Sequence, residues 1–258
     1  MGREKPEQLV QSIDRAFDII EKLVEADRSL GVTDISNSLG LHKSTVYRLL
    51  ATLVYRGYVD QDEYNRYKVG LKLFEVGGIV LNKMDLRKKI KPYLIKLQKD
   101  CKETIHLGIL DDMEVVYIDK EETNETIRMY SEVGRRVAAY CTSLGKVLLA
   151  FSDIDIKEKL KDQVFIKYTD TTISNLQELE QHLLEVKRQG YAIDNEEQEL
   201  GIRCIGAPIF NYNQQIIAAF SIAGPTNRMT EERVEELKAK VLEYSKIISS
   251  LFGYKHLI

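Results

Sequence analysis

The chain has 258 residues, 44% hydrophobic and 30% charged, with a formal net charge of −3 and three cysteines. That composition excludes a disordered or fibrous chain and leaves apolar mass for one large or two ordinary domains. No stretch reaches the roughly 18 apolar residues of a membrane helix. The opening residues 1–7 have no signal-peptide core behind them, so a cytoplasmic protein without membrane contact is expected. Cys101, Cys141 and Cys204 are odd in number and scattered, as free thiols are in a reducing compartment, and no His or Cys spacing suggests a metal.

The first predicted element is an amphipathic helix carrying Val10, Ile13, Phe17, Ile20, Leu23 and Val24 at helical spacing. Residues 31–33 break it, and Thr33 is placed to cap a short second helix over 34–39 that Gly40 ends. A third helix over 43–53 turns Val46, Leu49, Leu50 and Leu53 inward. Ser36 is small where the two helices cross. Two β-prone pieces, 58–59 and 67–69, flank the polar turn 60–66 and form a wing.

Charge supports a polyanion partner for this segment. Residues 35–59 hold no Asp or Glu, although the chain has 40 acids, and average density would place about four there. The same window carries His42, Lys43, Arg48 and Arg56. A carboxylate on such a surface would repel phosphate, so its removal fits double-stranded operator DNA. In a winged helix-turn-helix the second helix of the motif enters the major groove. Ser44, Thr45, Tyr47 and Arg48 are then candidates for base edges and nearby phosphates, and Lys43, Arg66 and Lys68 for phosphates. The rival reading is a three-helix protein-interaction domain.

The segments VQSIDRAFDIIEKL, GVTDISNSLGLHKSTVYRLLATLVYRGYV and YKVGLKLFEVG resemble the DNA-binding half of the isocitrate lyase regulator (IclR) family over residues 9–77. Beyond them, 71–78 reads as a short helix and 82–102 as a longer one. On the longer helix Leu86, Ile90, Tyr93, Leu94 and Leu97 face one side and a row of lysines the other. The lysine row reads first as a solvated face, and Pro92 suggests a kink or a new helix start. Paired strands follow over 104–110 and 114–119, then a strand at 126–130 and helices over 143–151 and 175–189. Strands 204–210 and 216–224 and a final helix 230–252 complete an α+β domain.

The family resemblance continues through GRRVAAYCTSLGKVLLAF, GYAIDNEEQELGIRCIGAPIF and IIAAFSIAGP. It implies an α+β architecture in which a winged helix-turn-helix (1–70) joins, through linker helices (71–102), a GAF-like effector-binding domain (103–258). By motif, the effector wall would comprise Met129, Ser143, Leu144, Asp194, Ile202, Cys204, Ser221 and Ala223. Ala138 and Tyr140 stand where the family often has Pro and His, and Gly206 replaces a usual Ala; Tyr140 would project toward the pocket. The resemblance extends to members controlling sugar-acid catabolism. It implies a small carboxylate or sugar-acid effector, a homodimer or homotetramer on a near-palindromic operator, repression of catabolic genes, and no cofactor. An enzyme would need Cys141 or Cys204 with His106 or His182, and no nucleophile motif surrounds either cysteine. The alternative is a metal- or redox-responsive regulator using the C-terminal cysteines.

Overall fold

The computed structural model describes residues 8–83, 85–123, 125 and 131–255. They divide into two units, the first ending before residue 85 and the second running from Asp85 onward. The first unit is ordered α1 (Gln11–Val24), β1 (Leu30–Gly31), α2 (Val32–Leu39), α3 (Lys43–Tyr55), β2 (Val59–Gln61), β3 (Arg66–Val69) and α4 (Leu71–Lys83). Its core is Ile19, Leu23, Leu30, Ile35, Val46, Leu50, Leu53, Val59 and Tyr67, all apolar or aromatic and buried. Gly40 ends α2 in the left-handed region at φ 63°, a conformation a glycine adopts without steric cost. Ser36 is buried against the turn and its hydroxyl donates to the Leu41 carbonyl at 2.5 Å.

Three local expectations change. The α2 N-cap is Gly31, two residues before Thr33: the Gly31 amide donates to the Asp34 carboxylate at 3.0 Å and Thr33 lies inside the helix. Gly31 also belongs to a strand, and β1–β3–β2 form an antiparallel three-stranded wing. On α1 the inward face is Ala16, Ile19, Ile20 and Leu23, whereas Val10, Ile13, Phe17 and Val24 stay more than half exposed. The helix carries two apolar stripes, and only one meets its own core.

The second unit starts with α5 (Asp85–Cys101), which continues through Pro92 rather than restarting there. It proceeds through β4 (Thr104–Asp111), β5 (Glu114–Glu121), β6 (Arg136–Ala138), α6 (Ser143–Phe151) and α7 (Ile156–Leu160). Then come α8 (Leu176–Gln189), β7 (Ala192–Asn195), β8 (Ile202–Phe210), β9 (Ile216–Pro225) and α9 (Glu231–Ser250). One six-stranded antiparallel sheet results, in the order β6-β5-β4-β9-β8-β7. Helices α6 and α8 pack together over its apolar face, while α5 and α9 pack with each other and with β4, β5 and β8. The strand expected at 126–130, with Met129, lies outside the described residues. Among the described residues no helix is long and apolar enough to cross a membrane.

The β4–β5 hairpin turns through Asp112 and Met113, both at positive φ, as the twist of a two-residue hairpin requires. Its ladder slips at Leu107/Gly108, which pair with Asp119 and Tyr117 and leave Ile118 between them. That extra residue is a β-bulge.

Candidate functional site

On α3 the buried line Val46, Leu50, Leu53 fixes which side faces out. Lys43, Ser44, Tyr47 and Arg48 are exposed there and Thr45 is half-buried. Arg66 and Lys68 alternate outward on β3 around the buried Tyr67. The Asp62 carboxylate shapes the wing tip by accepting the amides of Tyr64 and Arg66 at 3.0 and 2.8 Å. The DNA-contact candidates thus divide between one helix face and the wing strand of the same unit.

In the second unit a cavity of 30 Å³ opens under the start of α6, lined by Ser143, Leu144, Asp194, Ile202, Cys204 and Ser221 together with residues not expected. Those are His106, Tyr117, Arg135, Val137, Thr142, Gln198 and Glu199. Ala223 pairs with Cys204 across the ladder but does not line the cavity. Tyr140 also departs from expectation: its hydroxyl donates to the Ile166 carbonyl at 2.8 Å and its ring tilts onto Phe165.

The start of α6 gives the cavity its character. Thr142 caps the helix, its hydroxyl accepting the Gly145 amide at 3.1 Å. The amides of Ser143 and Leu144, at the first two helical positions, have no intrahelical acceptor and suit an anion. Gly206 lets this helix start sit close, since a Cβ there would be 3.2 Å from the Ser143 carbonyl carbon and 3.2 Å from the Phe220 oxygen.

Below the cavity lies a buried charge network. The Lys146 ammonium, 1% exposed, donates to the Ile193 carbonyl at 2.6 Å and to the Glu197 carboxylate at 2.5 Å. The Asp194 carboxylate accepts the Glu197 amide at 2.8 Å. Burial, and then the neighbouring Glu197, push the Asp194 pKa up to about 7, against the opposing pull of Lys146. His106 is held neutral, its pKa lowered to about 3 by burial and then by Lys120. Its ring stacks on Tyr117 at 4.9 Å and shares a 2.7 Å hydrogen bond with the Ser131 hydroxyl. Burial first and Asp194 second also push up the Cys141 and Cys204 thiols, which opposes the thiolate that nucleophilic or metal-binding chemistry needs. The Cys141 thiol donates instead to the Gln198 side-chain oxygen at 3.0 Å.

Sequence reasoning missed His106 and Tyr117 as lining residues because they come from strands distant in the chain from α6. Lys146 was hidden inside the apolar run SLGKVLLAF, where a lone lysine in a buried helix was itself the available signal.

Comparison with known proteins places the two units together in one family. Residues 12–63 match the IclR helix-turn-helix domain, and residues 78–250 match the bacterial transcriptional regulator IclR C-terminal domain. The chain is 41% identical over 253 residues to the HTH-type transcriptional regulator KdgR of Escherichia coli, covering 97% of this chain and 96% of that one. It is 36% identical over 248 residues to XynR of the same organism, with 95% and 98% covered. The crystal structure of the Thermotoga maritima IclR superposes with a TM-score of 0.79 at 35% identity, covering 95% of this chain and 100% of that one. An IclR homolog of Microbacterium hydrocarbonoxydans, solved with 4-hydroxybenzoate, shares the fold at 22% identity and a TM-score of 0.80, with 94% and 99% covered. These matches are to transcriptional regulators rather than enzymes, and none supports the metal or redox alternative. With a winged DNA-reading unit and an effector-binding α+β unit in one chain, this protein belongs to the IclR family of bacterial transcriptional regulators.

Proposed function

We propose that this regulator is a cytoplasmic repressor released or retained by a small hydroxylated carboxylate bound in the α6 cavity. The carrying observation is that one cavity joins helix-start amides and the Ser143 hydroxyl to Asp194, Tyr117 and Ser221. The amides suit the carboxylate, and Asp194 suits a hydroxyl. A sugar acid has both groups. The 4-hydroxybenzoate complex of a protein with this fold supports that class. Repression is supported by relatives named as repressors, the acetate operon repressor of Salmonella typhimurium and IclR of Escherichia coli, each 32% identical over 248 residues.

On DNA, Ser44, Thr45, Tyr47 and Arg48 read base edges and adjacent phosphates, while Lys43, Arg66 and Lys68 hold phosphates. A homodimer, or a homotetramer built from it, would place one α3 in each half-site. The second apolar stripe of α1 (Val10, Ile13, Phe17, Val24) and exposed Leu71, Phe74 and Ile79 on α4 are suited to that self-contact.

The test is a thermal-shift panel of organic and sugar acids followed by operator binding. A hit that Asp194→Asn and Ser143→Ala both abolish, and that changes operator affinity, upholds the reading. A hit insensitive to both variants refutes the cavity. Light scattering of Phe17→Asp tests assembly, with a smaller particle than wild type as the expected result.

A further inference from the structure

The α6 cavity is too small, as it stands, for the acid it would receive. Its 30 Å³ is room for about two waters, whereas ligand sites occupy about 300–1,000 Å³. On the outer side of the same wall lies a concavity of 340 Å³. Arg135, Val137 and Gln198 border both spaces. Val137 is buried and paired in the sheet with Val115. The Arg135 carbonyl accepts the Tyr117 amide at 3.1 Å, which fixes its backbone.

The loop carrying Gln198 is held from beneath. The hydroxyls of Thr169 and Thr172 donate to the carbonyls of Glu196 and Glu197, each at 2.6 Å. Lys146 holds the Glu197 carboxylate. The Gln198 side chain, by contrast, is tethered through a thiol donor on Cys141, a weak hydrogen-bonding group. The backbone of the wall is therefore fixed, and its most easily displaced part is one side chain.

Taking the cavity as the effector site, we propose that Gln198 partitions a two-chambered site and sets the length of the acid it accepts. The carboxylate lies in the inner chamber at the start of α6. The Gln198 amide swings aside on its fixed loop, and a hydroxylated tail extends past Arg135 into the outer chamber. The chemical class is a linear polyhydroxy acid of about five to seven carbons, whose size needs the merged space. Acids of two or three carbons leave the outer chamber unfilled.

The experiment is calorimetric titration of the full-length protein with glyoxylate, pyruvate, gluconate and a six-carbon 2-keto-3-deoxy sugar acid. Wild type is expected to bind a six-carbon acid at least about tenfold more tightly than either short one. Gln198→Leu and Arg135→Gln should each erase most of that preference, read as the ratio of six-carbon to short-acid affinity within the same variant. Asp194→Asn should weaken the hydroxylated acids, whose hydroxyl the Asp194 carboxylate would accept. If Asp194→Asn does so while neither outer variant changes the length preference, the cavity reading stands and the two-chamber proposal falls. Equal affinity of wild type for short and long acids also overturns the proposal. If Asp194→Asn changes nothing, or no acid binds, the cavity reading and the proposal fall together.

Discussion

Replacing Asp194 with asparagine keeps the shape of the side chain and removes one negative charge from beneath the cavity. In the folded protein this carboxyl is buried beside Glu197, and burial first and Glu197 second raise its pKa from 3.8 to about 7. Between those two values the folded state binds a proton that the unfolded state has released. The unfolded chain therefore binds fewer protons, and stability falls as pH rises through this window. The contribution is complete below about pH 4, shrinks toward pH 7 and then levels off. With about 1.4 kcal/mol for each pKa unit, the charge costs about 4 kcal/mol at pH 8, of which about 2–3 is lost between pH 5 and pH 8. Asparagine carries no charge, and its side-chain oxygen can still accept the Glu197 amide that Asp194 accepts at 2.8 Å. Melting curves of both proteins from pH 5 to pH 8.5 are the assay. The variant should gain on wild type as pH rises, by about 2–4 °C for each kcal/mol. A gap that stays constant with pH refutes a raised Asp194 pKa.

Lys146→Met should lower the unfolding free energy of the sensor unit, read by denaturant titration, by about 3–5 kcal/mol, because Glu197 loses its buried ion-pair partner and Asp194 a nearby cation; a loss below about 1 kcal/mol would mean that solvent reaches the pair. Arg48→Ala should weaken operator binding by about 1–3 kcal/mol and relax preference at one base pair, whereas Lys68→Ala should weaken all sequences alike and reduce the salt slope by about one. Anisotropy titrations at several salt concentrations separate these, and unchanged affinity removes either residue from the interface. Gly206→Ala brings a methyl to 3.2 Å from the backbone of Ser143 and of Phe220, so calorimetry should show a destabilisation of about 1–3 kcal/mol. A stabilised variant would show that the start of α6 can yield.

Much of the fold was legible because the signals were local. Gly40, the α3 periodicity and the apolar strands each follow from the residues that carry them. The wing was only half legible, since β1 is two residues long and its pairing of Leu30 with Tyr67 spans too much chain for a local pattern. On α1 periodicity found the helix but could not say which of two apolar stripes faces its own core, because a stripe reserved for another surface looks the same in sequence. The same limit applied to the cavity. Six of its lining residues, among them Ser143 and Asp194, followed from motifs, whereas His106 and Tyr117 reach it only because the antiparallel order places β4 and β5 beside β9. Asp194 read equally well as a loop cap, and the structure gives it that bond too, to the amide of Glu197.

The distribution of buried charge says what each unit is built to do. In the DNA-reading unit, among the described residues, the one buried polar side chain is Ser36, and its core is otherwise apolar or aromatic. The sensor unit buries Glu103, His106, Asp119, Lys146, Asp194 and Glu197, at a desolvation cost that a purely structural core would avoid. Strand β5 links two of these groups to opposite neighbours. Tyr117 stacks on His106 at the cavity. Past the bulge at Ile118, Asp119 pairs with Arg87 at 3.2 Å and Lys91 at 2.9 Å on α5. A molecule that displaces Tyr117 thus acts on the strand that anchors the first helix of the sensor unit. It could bias that helix only by as much as its affinity differed with the strand moved and unmoved. Lys91 is shared between Asp119 and Glu121 on the same strand, so α5 is held to β5 by a cluster of charges rather than one pair, and a shift of that strand must break or repack several ion pairs together.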